Sequence, residues 1–212
     1  KTIDQAAEVG VEMIILSFGS GMNMESRDAA YQAKYKEVAD YAKSKGIVIG
    51  AYSLLASRGA ATAADNCQGP GSRVRFGVMS CLGAKWGMEY LEQLKSFLTA
   101  TGFGILEHDG SYPGDTCAAT NHPGHKGLED SQWVQHEAIT GLYQWCRANG
   151  IYLNIPDWYY LNGANKCAMG YRETNWSLPR AEQEIIERQN IYDGTWEKTP
   201  SMGWMFVPLT QY

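Results

Sequence analysis

Residues 101–115 read TGFGILEHDGSYPGD. A Thr-Gly stop opens the stretch. A short apolar run with Ile105 and Leu106 follows and reads as a buried strand. The run ends on three ionisable side chains in a row, Glu107, His108 and Asp109, and the chain then falls into a Gly/Pro loop. A charge left near a core is costly unless it is paired or placed at an edge. A strand that ends this way is leaving the core, or it is presenting a site at its carboxyl end. In a regular strand Glu107 and Asp109 share one face and His108 points to the other.

The same grammar repeats outward from this stretch in both directions. VEMIILSFG (11–19) reads as a buried strand, YQAKYKEVADYAKSKG (31–46) as a helix and IVIGAYSLL (47–55) as a strand. WGMEYLEQLKSFLTATG (86–102) has Leu91, Leu94 and Leu98 on one helical face, ahead of the FGILEHD strand. A helix over 131–150, closed by Asn149-Gly150, precedes the strand IYLNIPDW (151–158). A short strand is possible in CAMGYRET (167–174). A helix over 178–194, with Pro179 near its first turn, and a strand over 202–210 complete the pattern.

Strand and helix alternate without hairpin signals, so the strands are parallel and the helices are crossovers. Loops after helices are tight and end at Gly: KG-IVI, TG-FGI, NG-IYL. Loops after strands are long and polar, notably 56–80 and 110–130. This asymmetry predicts an α/β fold of the (β/α)8 TIM-barrel type, with function at the carboxyl ends of the strands. A doubly wound sheet is disfavoured because no Gly-rich phosphate turn follows the first strand. A full barrel has eight strands and about 250 residues. The chain has 212 residues, opens on what reads as a helix and stops on a strand. Residues 1–212 are therefore expected to be one barrel domain that lacks strands at one or both ends, as in a piece of a longer protein.

Composition narrows the partners. Net charge is −5, and Lys and Arg are scattered rather than clustered, which argues against nucleic acid. No run of about 18 apolar residues exists, so no membrane span is expected. Aromatics reach 12 %, which suits both sugar-stacking clefts and large cores. The five cysteines, Cys67, Cys81, Cys117, Cys146 and Cys167, form no C-x-x-C pair. Cys146 falls on the buried stripe of its helix and reads as a free core thiol. The other four lie in or beside loops and allow two disulfides in an exported protein, with the pairing open.

Carboxylates gather at the predicted strand ends, at Glu107 and Asp109, at Asp157 beside Trp158, and at Glu173 beside Arg172. Paired carboxylates are the equipment of glycoside hydrolysis. ILEHD (105–109), PDWYYLNG (156–163) and GYRETNW (170–176) in this order resemble the clan of retaining glycoside hydrolases that contains the α-galactosidases. The resemblance implies a carbohydrate substrate, Asp109 as nucleophile and Glu173 as acid/base, with Asp157 and Asp193 as alternatives for the second role. It implies that Glu107, Asp157, Trp158 and Arg172 orient the sugar, with no metal or organic cofactor. With the loop cysteines it points to a secreted or periplasmic protein. One departure bears on specificity. Typical α-galactosidases carry Lys two positions before the nucleophile, and this chain has Glu107, which accepts hydrogen bonds where Lys only donates.

The loop SYPGDTCAATNHPGHKGLED (111–130) has a metal reading through Asp115, Cys117, His122 and His125. H-x-x-H in a Pro/Gly loop lacks the helical i,i+4 geometry of a metalloprotease site. The loop is therefore read as a cover over the site, with Tyr112 and His125 touching substrate. Two rivals stand beside the glycosidase: a carbohydrate-binding or catalytically silent barrel, and a metal-assisted hydrolase built on residues 115–125. Only the last would lose activity to chelators.

Overall fold

The computed structural model describes residues 1–110 and 115–155, the backbone of 169–170, and residues 181, 182 and 185. Helix α1 (Thr2–Glu8) precedes β1 (Met13–Leu16), α2 (Ala29–Ser44) precedes β2 (Val48–Leu54), and α3 (Lys85–Thr101) precedes β3 (Ile105–Asp109). Helix α4 (Ser131–Ala148) precedes β4 (Tyr152–Ile155), and β5 (Met169–Gly170) follows within the CAMGYRET stretch. Every neighbouring pair is parallel and the strands lie in sequence order, β1-β2-β3-β4-β5. A doubly wound sheet reverses its strand order at a switch point. Here the order never reverses, so the described strands form an arc of a (β/α) barrel, as the loop asymmetry predicts. The 202–210 strand and most of the 178–194 helix lie outside the described residues.

Local chemistry sets the boundaries. The Asp28 carboxylate accepts from Ala30 N at 2.8 Å and from Tyr31 N at 3.4 Å, capping α2. The Gly residues that close the three tight helix-to-strand turns, Gly46, Gly102 and Gly150, have φ of 79°, 71° and 70°. Side chains with a Cβ resist that left-handed region, which is why each helix stops there.

Register and the two-residue period then sort the strand residues. Leu16, Ala51, Leu106 and Leu153 lie side by side on the face toward the helices. They pack against Leu94, Phe97 and Leu98 of α3 and Ile139, Leu142, Tyr143 and Cys146 of α4, which are all buried. Cys146 is a free buried thiol, as its place in the helix predicts, and burial pushes it up to about 12. Ile15, Gly50, Ile105 and Tyr152 form a row on the opposite, barrel-interior face.

Candidate active site at the carboxyl ends of the strands

One step toward the carboxyl ends, the interior face turns polar. Tyr52, Glu107 and Asn154 sit in register on β2, β3 and β4, and Asp109 follows opposite Leu54. Glu107 is 2 % exposed and Asn154 is fully buried, while Asp109 is partly open to solvent. The Tyr52 hydroxyl donates to Asp109 Oδ2 at 2.7 Å. Asp109 is thus an oriented carboxylate at the mouth of the barrel, above a buried one. Neither side-chain polar atom of Asn154 has a hydrogen-bond partner among the described residues. Buried amides normally have partners, so this one has hydrogen-bonding capacity left for a polar ligand.

Gly110 fixes where Asp109 stands. Its φ is +72°, and a Cβ there would lie 2.3 Å from Ala56 Cβ and 2.6 Å from Ala56 N. Only glycine lets the chain turn away directly behind the carboxylate while packed on the β2 loop.

His108 belongs to the other face and to another task. Its Nε2 meets the Tyr90 hydroxyl at 2.9 Å and its Nδ1 meets the Tyr143 hydroxyl at 2.8 Å. Tyr90 in turn meets Ser53 Oγ at 2.7 Å. Burial pushes His108 down to about 3, with the nearby Arg58 charge adding to the effect. A neutral imidazole has one N–H, so one tyrosine donates to the ring and the other accepts from it. This buried chain ties β3 to α3 and α4, and it holds the strand that carries Glu107 and Asp109.

Arg58, in the loop after β2, grips Glu25 with both terminal guanidinium nitrogens, at 2.6 and 2.9 Å, and lies over the Trp86 ring at 5.0 Å. It also donates to Leu54 O at 3.2 Å, which joins the loops after β1 and β2 beside the rim.

Of the predicted site residues, the structure brings Asp109 and Glu107 together on one face. Tyr112, Asp157, Trp158, Arg172, Glu173 and the alternative Asp193 lie outside the described residues. His125 is engaged differently from its expected role as a substrate contact. It is 5 % exposed, and its Nε2 lies 3.2 Å from Cys81 Sγ and 3.1 Å from His122 Nδ1. Cys67, Cys81 and Cys117 are free thiols rather than disulfides. Asn154 escapes the sequence reading, although an amide inside the apolar run IYLNIP is a visible signal. The Tyr52 contact becomes evident only from the β2–β3 pairing.

The parallel strands in sequence order, alternating with helices, define an arc of a (β/α) barrel of the TIM type. Among solved structures, the chain is similar to the α-galactosidase from Lactobacillus brevis, with TM-score 0.55 and 12 % identity, covering 96 % of this chain and 29 % of that one. It is also similar to the ligand-free α-N-acetylgalactosaminidase NagBb from Bifidobacterium bifidum, with TM-score 0.50 and 14 % identity, covering 73 % of this chain and 29 % of that one. The chain thus spans less than a third of either relative, and likeness at this identity defines the fold alone. No protein-family profile matches the chain, and no curated protein sequence does. Among the described residues no helix is long and apolar enough to cross a membrane.

Proposed function

We propose that this barrel is part of a retaining glycoside hydrolase that cleaves a galactoside-like bond in an oligo- or polysaccharide. The observation that carries the reading is Asp109, a carboxylate at the end of β3, oriented by Tyr52 and set above the buried Glu107 and Asn154. Asp109 attacks the anomeric carbon and forms a glycosyl-enzyme. Glu173 first protonates the departing oxygen and then activates the water that releases the sugar. Glu107, Asp157, Trp158 and Arg172 orient the sugar. Glu107 accepts from sugar hydroxyls where a typical α-galactosidase presents a lysine, so the preferred sugar or linkage differs from that of a plain α-galactoside. The likeness in fold to two glycosidases supports the reading.

The test is turnover of aryl α- and β-glycosides by the full-length protein, with Asp109→Asn alongside. Wild-type turnover that the substitution abolishes is the expected result. A fluorosugar substrate that traps a covalent adduct, mapped by mass spectrometry to Asp109, would identify the nucleophile directly. Turnover that survives in Asp109→Asn would refute the assignment.

A further inference from the structure

The two long loops on the barrel mouth, 55–84 after β2 and 110–130 after β3, are bound to one another. Ala118 N donates to Gln68 O at 2.9 Å, Gly124 N donates to Gly83 O at 2.8 Å, and Arg73 pairs with Thr116 as an isolated bridge. At the centre of this joint sit four buried side chains, Cys81 from the first loop and Cys117, His122 and His125 from the second. Cys81 Sγ lies 3.2 Å from His125 Nε2, Cys117 Sγ lies 3.6 Å from His122 Nδ1, and the two ring nitrogens are 3.1 Å apart. All four donor atoms lie within 4.8 Å of one another.

We propose that Cys81, Cys117, His122 and His125 bind a zinc ion that ties these two loops into one wall of the barrel mouth. The dimensions fit. Zinc bonds of about 2.3 Å to sulfur and about 2.0–2.1 Å to nitrogen imply tetrahedral edges of about 3.3–3.8 Å. The 3.6 Å separation lies in that range, the 3.1 and 3.2 Å separations lie just under it, and the other pairs, all within 4.8 Å, close onto an ion by small side-chain rotations. The charges fit too, because two thiolates and two neutral imidazoles around a divalent ion sum to zero and can be buried together.

The surroundings are prepared for coordination. His122 Nε2 donates to Ala64 O at 2.7 Å, which leaves the Nδ1 lone pair facing the cluster. His125 Nδ1 is buried with no partner among the described residues, so hydrogen bonding through that atom does not hold the ring, whereas coordination through Nε2 would. Cys81 and Cys117 would each release a proton to solvent on binding. Gly83 leaves the room required, since a Cβ there would come within 2.4 Å of His125 Cδ2.

Asp115, which the sequence places in the metal reading, takes other partners. Its Oδ1 accepts from Arg75 N at 3.3 Å, and its carbonyl accepts from Gln135 Nε2 at 2.8 Å. Cys81 takes its place in the donor set. Four protein donors, all buried, make a closed structural site rather than a catalytic one with an open position. The inference does not depend on the glycosidase reading.

Metal content of the full-length protein, purified without chelator, tests it, together with X-ray absorption at the zinc edge. The expected result is one zinc per chain with two sulfur and two nitrogen neighbours. It should fall to near zero in Cys117→Ser and His122→Ala and persist in Cys146→Ala. If the ligand variants fail to fold, cobalt-substituted wild type provides the check through thiolate-to-cobalt charge-transfer and tetrahedral ligand-field bands. Three results would overturn the proposal: wild type free of stoichiometric zinc, a disulfide among Cys67, Cys81 and Cys117 in peptide mapping, or folded Cys117→Ser that keeps its zinc.

Discussion

Acid should weaken this fold through His108. In the unfolded chain the imidazole takes up a proton below about 6.5, whereas in the folded protein it stays neutral down to about 3. Between those values the unfolded state binds the extra proton, so stability falls as pH falls. Each pH unit well inside that window is worth about 1.4 kcal/mol, so going from pH 6.5 to about 4.5 should remove about 2–3 kcal/mol. That is a large share of the roughly 5–15 kcal/mol typical of folded domains. The matching variant is His108→Gln, which keeps one donor and one acceptor for Tyr90 and Tyr143 but does not titrate. Urea unfolding of full-length wild type and variant, followed by tryptophan fluorescence from pH 7 to about 4.5, isolates the effect, because other titrating groups contribute to both curves. Wild type should lose about 2–3 kcal/mol more than His108→Gln over that range. Parallel curves would mean that the imidazole is hydrated or charged in the folded state, and the buried tyrosine–histidine chain would be refuted.

Two further outcomes concern the site itself. Tyr52→Phe removes the hydrogen bond to Asp109, and bonds to charged groups contribute about 1.5–3 kcal/mol. Turnover should drop about tenfold or more with the fold intact, and an unchanged rate would free Tyr52 from any positioning role. Gly110→Ala places a Cβ against Ala56 at a left-handed φ, so it should lower stability by about 1–3 kcal/mol or more. A thermal scan that matches wild type would show that the turn behind Asp109 relaxes freely.

Much of the architecture is legible in the chain because its causes are local. Helices α2, α3 and α4 follow from apolar residues at helical spacing and from the glycines after them, and each starts and stops within two residues of its predicted bounds. The strands are shorter than the apolar runs that announce them, as with Met13–Leu16 inside 11–19. Hydrophobicity marks what is buried, while a strand ends where its neighbour stops pairing. The shared face of Glu107 and Asp109 also follows from sequence, since alternation is a property of a single strand.

The alternation of elements, the placing of long loops after strands, and the end of β3 as a place where charge collects can all be read along the chain. Which groups meet there depends on strand pairing. Tyr52 reaches Asp109, fifty-seven positions away, only because β2 and β3 are parallel neighbours in one particular register. The same neighbourhood brings Cys81 to His125 across forty-four positions and turns a loose run of loop histidines and cysteines into a four-donor cluster. No spacing along the chain encodes that cluster. Its donors lie on two loops whose separation is set by the strands that carry them, and strand pairing is a long-range choice made by the whole core.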